Sequence, residues 1–246
     1  MGEQTMPTID LASGIQIRYE DLGPRDGRPV VLAHGFGVSL GMWQPQVWEL
    51  SQAHRLIVWD ARGHGGSSAP DDVESYTMPA LAADLRGLLE GIDAVDGAVI
   101  GGMSFGGMIA LQYAVDHAAD TYALILSDTT TRGPVDPDAP PRIAASRGGG
   151  GPGREGARLA MVTRPDLTPL LPRLDLPALV IAGAWDDGIL AGLPRLADGL
   201  PRRRVVLLEE ATHGTSGQRP DAWNEAVLRF LVDVEAGAPL GEDEVR

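Results

Sequence analysis

The chain contains neither cysteine nor lysine. Without a thiol it forms no disulfide, binds no metal through thiolates and has no cysteine nucleophile. Without a lysine amine it makes no Schiff base, anchors no pyridoxal phosphate and lacks the lysine of a phosphate-binding P-loop. These absences leave serine, activated by histidine, as the favoured route for covalent chemistry.

Positive charge is also scarce, because 20 basic residues, all of them arginine, stand against 34 acidic ones, for a net charge of −14. This balance disfavours nucleic acid and anionic membranes as partners, and its simplest effect is solubility. No apolar run reaches the length of a membrane span, and the first residues lack the basic and apolar segments of a signal peptide. A cytoplasmic protein is expected.

The order of apolar segments predicts an α/β domain, and 246 residues, 43% of them hydrophobic, suffice for one large core. Unalternating apolar runs, typical of strands buried on both faces, occur at residues 29–33, 55–59, 98–100, 122–128, 174–183 and 204–208. Apolar residues at helical spacing predict helices at residues 42–50, 78–91 and 220–234. Residues 1–246 are therefore predicted to form a single domain with a mostly parallel sheet flanked by helices. An edge hairpin is predicted at residues 8–19 and a loose tail at residues 235–246.

A glycine-flanked serine follows the strand predicted at residues 98–100. In Gly102-Met103-Ser104-Phe105-Gly106 the serine stands at the turn from this strand into a helical segment. This is the context of a nucleophile elbow, in which the residues two before and two after the serine crowd together. Gly102 and Gly106 meet that demand because they carry no side chain. A glycine-rich turn with an incidental serine is the alternative, since the pentapeptide alone often arises by chance.

Two further polar residues follow predicted strands, Asp186 after the fifth and His213 after the last. Parallel strands bring their carboxyl ends to one edge of the sheet, so Ser104, Asp186 and His213 are expected to meet there. Their order along the chain, serine then acid then histidine, is the order found in α/β-hydrolases and not in chymotrypsin or subtilisin. Asp187 is an alternative acid because it adjoins Asp186. Asp128, the last residue of the strand predicted at residues 122–128, is another.

Histidines occur in two other glycine-rich segments. His34 follows the first buried strand, where a histidine more often supports its own loop through hydrogen bonds than acts as a base. Asp60, Arg62 and His64 follow the second, and they invite a metal or phosphate hypothesis. A loop clamp formed by a hydrogen-bonded Asp–Arg pair is the simpler interpretation, since no second cluster of ligands lies nearby. No metal site is therefore predicted.

Taken together, these segments resemble the α/β-hydrolase superfamily over about residues 15–132 and 172–235. The motifs that carry the resemblance are His34-Gly35-Phe36-Gly37, Asp60-Ala61-Arg62-Gly63-His64-Gly65, the Ser104 elbow, Gly183-Ala184-Trp185-Asp186 and Thr212-His213-Gly214. Residues 59–68 and 101–110 are most similar to the branch that holds 3-oxoadipate enol-lactonase and related esterases. A serine nucleophile disfavours the dehalogenase and epoxide-hydrolase branches, which need a carboxylate.

The resemblance implies the α/β-hydrolase fold and a role for each member of the triad. Ser104 would attack an acyl carbonyl and His213 would remove its proton. Asp186 would orient the imidazole, and it is favoured over Asp187 because it lies three residues after Gly183, as in the family.

The resemblance also implies the residues around the triad. The backbone amides of Phe36 and Phe105 would form the oxyanion hole, because a loop in the place of residues 34–37 donates one such amide in these hydrolases. Trp43 and Trp185, near these loops in the sequence, are expected to contact the substrate. No cofactor is expected.

The reaction implied is hydrolysis of a small-molecule carboxylic ester or lactone through an acyl-enzyme. Perhydrolysis as in cofactor-free haloperoxidases, C–C bond hydrolysis and acyl transfer use the same triad and stay open. A hydrolase-like ligand-binding protein with little turnover is a further alternative.

A cap-like insertion is expected at about residues 132–173, where members of the superfamily place helices over the active site. The segment is short here and contains the run Gly148-Gly149-Gly150-Gly151-Pro152-Gly153, which is typical of a flexible loop or hinge. A short helix is predicted at residues 155–162. A shortened cap would leave the site open and weaken its exclusion of water.

Overall fold

A computed structural model describes residues 7–132 and 151–246. Its centre is a nine-stranded sheet with the strand order β1-β2-β4-β3-β5-β6-β7-β8-β9. The strands are β1 (Thr8–Asp10), β2 (Gln16–Leu22), β3 (Pro29–Ala33), β4 (Arg55–Trp59), β5 (Ala98–Met103), β6 (Thr121–Ser127), β7 (Ala178–Gly183), β8 (Arg203–Leu208) and β9 (Glu244–Val245). At one edge β1 pairs antiparallel with β2, and β2 pairs antiparallel with β4. The remaining pairings, from β4 through β3 to β9, are all parallel. The mostly parallel sheet predicted from the sequence is confirmed.

Helices flank the sheet on both faces. They are α1 (Gln44–Leu50), α2 (Met78–Gly91), α3 (Phe105–Asp116), α4 (Pro152–Thr163), α5 (Asp187–Leu190), α6 (Leu193–Gly199), α7 (Thr215–Gln218) and α8 (Pro220–Glu235), with short 3-10 helices at Leu40–Trp43, Val73–Ser75 and Thr168–Arg173. None of the helices within these described ranges is long and apolar enough to cross a membrane.

The central strands are buried on both faces because alternate residues serve two cores. In β3, Val31 packs with the side chains of α2 and α3, and Val30 and Leu32 pack with those of α1 and α8. This two-sided burial explains why the strands appear in the sequence as unalternating apolar runs. Because these strands pair in parallel, the carboxyl ends of β3, β5, β6, β7 and β8 lie side by side along one edge of the sheet.

The expectation of a loose tail is wrong. Glu244 and Val245 pair in parallel with β8 as its outer neighbour, and Asp243 accepts a hydrogen bond from the Val205 amide at 2.9 Å. The buried guanidinium of Arg204 donates to the carbonyl of Leu240 and forms an ion pair with Asp233. The last residues therefore cover the edge of β8, which would otherwise present unpaired backbone groups.

The insertion between β6 and β7 contains α4, which begins three residues before the helix predicted there. Gly153 and Gly156 lie in this helix and are buried, and a Cβ atom on Gly156 would come within 2.3 Å of the Tyr76 ring. A Cβ atom on Gly153 would come within 2.9 Å of Ala69 and Gly63, so both glycines serve close packing. The glycine linker was predicted to extend from Gly148, but residues 148–150 lie outside the described ranges, so the shortened cap stays a prediction.

Candidate active site

Ser104 occupies the sharp turn between β5 and α3, with φ 55° and ψ −110°. A positive φ is costly for a residue with a side chain, and such strain is typical of a nucleophile elbow. The turn approaches β3 so closely that a Cβ atom on Gly106 would lie 2.0 Å from the Ala33 carbonyl oxygen. One on Gly102 would lie 2.4 Å from the carbonyl carbon of Gly106. Both glycines are required, as the sequence predicted.

Ser104, His213 and Asp186 form one hydrogen-bonded chain. The Nε2 atom of His213 lies 2.9 Å from the Ser104 Oγ, and its Nδ1 atom lies 2.9 Å from the Asp186 Oδ2. A neutral imidazole with its proton on Nδ1 satisfies both contacts, because it then donates to the carboxylate and accepts from the hydroxyl. The Ser104 side chain is buried, but that of His213 is 45% exposed.

The geometry separates the three candidate acids. Asp186 bonds to His213 through Oδ2, and its Oδ1 accepts from the Ile189 amide at 3.2 Å. Asp187 is exposed at the start of α5. Asp128 is fully buried, and its carboxylate oxygens accept hydrogen bonds from other groups, at the last residue of β7 and beyond β8. Of the three, only Asp186 contacts the imidazole.

Phe105 and Phe36 carry the two backbone amides predicted for the oxyanion hole. Phe105 is the first residue of α3, so its amide has no intrahelical acceptor. Phe36 lies in the turn after β3, and within the described residues its amide donates to no protein group. The rings of Phe36 and Phe105 meet edge to face, with centroids 6.3 Å apart. The two loops are therefore in contact beside Ser104.

Two histidines complete an aromatic cluster, which we define as His34, His64, Phe36 and Phe105. The rings of His34 and His64 are 4.8 Å apart, and that of His64 also contacts both phenylalanines. The Nδ1 of His34 lies 2.7 Å from the Gly35 carbonyl oxygen, and its Nε2 accepts from the Ala61 amide at 3.1 Å. His34 therefore ties the Phe36 loop to the loop after β4, the supporting role predicted for it.

Burial keeps both histidines of the cluster neutral. It lowers the pKa of His34 to about 4, although the hydrogen bond to Gly35 opposes the shift. Burial, with a smaller contribution from the neighbouring His34, lowers the pKa of His64 to about 3. Neither ring is therefore suited to carry a proton during catalysis near neutral pH.

The segment after β4 is a loop clamp, but its partners differ from those predicted. Asp60 accepts from the amides of Leu40 and Gly66, at 2.7 and 2.8 Å, and pairs with Arg18. Arg62 pairs instead with a buried carboxylate of α2, that of Asp84, at 2.5 and 2.6 Å. The expected Asp60–Arg62 pair is therefore absent. No group of three or more His, Asp or Glu side chains in residues 7–132 and 151–246 could hold a metal ion.

The expectation that Trp43 contacts the substrate is wrong. Its side chain is fully buried, and its ring packs 5.5 Å from that of Trp223, in the core on the α8 side of the sheet. Trp185, by contrast, is 63% exposed and directly precedes Asp186. Its role as a substrate contact stays a prediction.

A cleft of about 520 Å³ lies beside the Phe36 loop, within the size range of small-molecule sites. Its walls are formed by Gly37, Val38, Ser39, Met42, Gly63, His64, Gly65 and Arg154. Arg154, from α4, donates to the Gly37 carbonyl at 2.9 Å, and its guanidinium lies 5.9 Å from the centre of the Phe36 ring. Arg154 has no signal in the sequence that points to the site, because the helix that carries it lies in the segment without a clear pattern.

Comparison with known proteins establishes the family. A family model described as alpha/beta hydrolase fold matches residues 28–160, and the chain belongs to this family. A non-heme chloroperoxidase from Streptomyces lividans is 30% identical, over 92% of this chain and 99% of that protein. The predicted superfamily is therefore confirmed, and the protein is an α/β-hydrolase.

Two solved structures share the fold over nearly the whole chain. An esterase from Thermogutta terrifontis matches with a TM-score of 0.80 and 28% identity, over 94% of this chain and 99% of the esterase. The enol-lactonase from Burkholderia xenovorans LB400 matches with a TM-score of 0.79 and 26% identity, over 92% of this chain and 100% of the enol-lactonase. The predicted likeness to enol-lactonases is thus confirmed.

The buried histidines predict an acid-labile fold. Because the pKa of His34 is lower in the folded state than the value of about 6.5 in an unfolded chain, the unfolded state binds more protons below pH 6.5. The contribution to stability is therefore complete above pH 6.5 and falls by about 3 kcal/mol as the pH approaches 4. Urea unfolding of the wild type and His34→Gln at a series of pH values measures this effect. We expect a shallower pH dependence in the variant, and parallel curves would contradict the assignment.

Proposed function

We propose that the protein is a cofactor-independent serine hydrolase that cleaves a carboxylic ester or lactone through an acyl-enzyme on Ser104. The hydrogen-bonded chain from Ser104 through His213 to Asp186 supports this proposal most directly, with both contacts at 2.9 Å. The related esterase and enol-lactonase support the substrate class. The cytoplasmic location and the absence of nucleic-acid or membrane partners remain predictions.

In the first half of the proposed reaction, the Ser104 oxygen bonds to the acyl carbon while its proton passes to Nε2 of His213. Asp186 holds the imidazole in the required tautomer and stabilises the imidazolium that forms. The tetrahedral intermediate then expels the alkoxide, which takes the proton from His213. For an ester the products of this half are the free alcohol and the acyl-enzyme, whereas for a lactone the released hydroxyl stays attached to the acyl group on Ser104.

In the second half, water attacks the acyl-enzyme and gives a proton to His213, and collapse of the second intermediate returns that proton to Ser104. The amides of Phe36 and Phe105 would stabilise the negative oxygen of both tetrahedral intermediates. The cleft beside Phe36 would accept part of the substrate, since it adjoins the same loop.

Perhydrolysis is the second candidate, favoured by the similarity to a non-heme chloroperoxidase over nearly the whole chain. Hydrogen peroxide would replace water in attacking the same acyl-enzyme and release a peracid. The peracid would then oxidise a halide ion and be reduced to the acid. Both reactions share the first half, so they differ only in the second nucleophile.

A fluorophosphonate probe tests the nucleophile. We expect covalent labelling of the wild type at Ser104, located by peptide mass spectrometry, and none of Ser104→Ala. The kcat for p-nitrophenyl acetate should fall by about 10⁴-fold or more in the variant. Circular dichroism of both proteins controls for folding. If the folded wild type stays unlabelled, the ligand-binding alternative replaces the enzyme.

Neighbouring aspartates provide a matched test of the acid. Asp186→Asn should lower kcat by about 10⁴-fold, because the amide cannot hold the imidazole in the required tautomer. Asp187→Asn, one residue along, should stay within about threefold of the wild type, since its exposed side chain makes no contact with His213. Steady-state ester hydrolysis at neutral pH measures both. Equal losses in the two variants would remove Asp186 from the proposed triad.

Peroxide and bromide distinguish the two candidate reactions. In acetate buffer with both present, a peracid route brominates monochlorodimedone, which loses its absorbance. We expect hydrolysis of p-nitrophenyl acetate and of enol-lactones to be the faster reaction, and we expect both activities to disappear in Ser104→Ala. Bromination that persists in this variant would show that the halide is oxidised without the acyl-enzyme.

A further inference from the structure

The end of β6 contacts the backbone beside every member of the proposed triad. The carbonyl of Ser127 accepts from the Ser104 amide at 2.8 Å, and the Thr129 hydroxyl donates to the Ser104 carbonyl at 2.8 Å. Between them stands Asp128, which the proposed reaction does not use. Its φ of 48° lies in the left-handed region, which is costly for a residue other than glycine. The strained backbone gives its side chain a direction different from that of an ordinary strand residue.

The Asp128 carboxylate joins two loops. Its Oδ1 accepts from the amide of Gly183 at 3.2 Å, and the carbonyl of Gly183 in turn accepts from the Asp186 amide at 3.1 Å. Its Oδ2 accepts from the amides of Gly214 and Thr215, at 3.2 and 2.9 Å, and from the Thr215 hydroxyl at 2.8 Å. One oxygen therefore holds the loop of Asp186, and the other holds the loop of His213.

The site requires a carboxylate in particular. Asp128 is fully buried, and it forms no ion pair with any arginine of the described residues. Three amides and two hydroxyls, those of Thr215 and, at 3.4 Å, Ser127, compensate its charge, and they approach its oxygens as donors. An asparagine has one acceptor oxygen and one NH₂ group, so it would satisfy one loop and set donor against donor at the other. Asp128→Asn therefore replaces the hydrogen bonds to one loop by a contact between two donors, with almost no change in side-chain volume.

We propose that Asp128 is a positioning residue, which sets the loops of Asp186 and His213 relative to each other so that the imidazole bridges the carboxylate and Ser104. This inference rests on the proposed function of the triad. The buried hydrogen bonds of Ser127 extend the same arrangement, because its hydroxyl lies 3.0 Å from that of Thr215 and accepts from the Trp223 indole at 3.1 Å. The His213 loop is thereby anchored to α8 as well as to β6.

The experiment compares the wild-type full chain with Asp128→Asn and with the same substitution at another buried aspartate. We expect Asp128→Asn to lower kcat for p-nitrophenyl acetate by about 10- to 100-fold with KM changed less than about threefold, because a small misplacement of reacting groups slows chemistry more than binding. The fluorophosphonate labelling rate should fall in proportion. The low-field proton resonance of the His213–Asp186 hydrogen bond, recorded by NMR, should be lost or shifted.

Asp21→Asn is the matched control. The Asp21 side chain is 5% exposed and pairs with Arg55 at the amino-terminal end of β4, away from Ser104. This variant should lose stability but keep the wild-type kcat and NMR resonance. If Asp128→Asn is less stable yet keeps both the kcat and the resonance, its role is purely structural and the proposal fails.

A second variant covers the case in which Asp128→Asn does not fold. Thr215→Val removes the hydroxyl that donates to Asp128 and contacts the Ser127 hydroxyl, but keeps the Thr215 amide, and it should lower kcat several-fold, with a shifted resonance and an unchanged KM. An unchanged kcat and resonance would overturn the proposal. The resonance does not depend on turnover, so it tests the positioning role even if the wild type fails to label and the hydrolase function is lost.

Discussion

The active site depends on a contact between backbones, where the turn that carries Ser104 passes the end of β3. No side chain fits there, since a Cβ atom on Gly106 would lie 2.0 Å from the Ala33 carbonyl oxygen. The contact forces Ser104 into a strained conformation, and hydrogen bonds to Ser127 and Thr129 hold it there. Ser104 therefore keeps its geometry only while β3, β5 and β6 stay paired. The reactivity proposed for it is a property of the assembled sheet, because an isolated peptide would relax the turn.

The parallel sheet gathers residues that are far apart along the chain, but it does not by itself align their side chains. His213 stands 109 residues after Ser104, on a loop that is partly open to solvent. The alignment comes from buried polar groups behind the loops, chiefly the carboxylate of Asp128 and the imidazole of His34. Both are fully buried, where the low dielectric strengthens their hydrogen bonds. The site thus joins a buried support to a partly exposed imidazole, the base of the proposed reaction.

Much of this arrangement could be predicted from the sequence. Strands buried on both faces and the glycines of the elbow leave local patterns, so the sheet, Ser104, His213 and Asp186 were placed correctly. Trp43 was not, because nearness to the Phe36 loop in sequence does not determine the direction of a side chain. The 3-10 helix at Leu40–Trp43 turns its indole toward Trp223, 180 residues away in the chain. Only the folded arrangement of α8 reveals that contact.

Two other differences between the predicted and the observed structure also arise from contacts between residues that are distant in the sequence. β9 has only two residues, too few for a periodic signal, and its position is determined by β8 and the anchoring of Arg204. Gly153 and Gly156 have the composition of a linker, but both pack closely, Gly153 against Ala69 and Gly63 and Gly156 against the Tyr76 ring. Composition predicts the conformational flexibility of the isolated chain, whereas contacts with residues distant in the sequence determine whether the segment is flexible in the folded protein. Asp128 was identified only as an alternative acid, since its donors come from two separate loops.

The partial exposure of His213 has a kinetic consequence. An imidazole in contact with the medium exchanges its proton directly with bulk solvent and buffer, so turnover would require no internal proton relay. Small solutes would approach an acyl group on Ser104 from the same open side. The partition of that acyl group among water, alcohols and peroxides would then follow their concentrations, and the composition of the surrounding solution would help to decide which product leaves the enzyme.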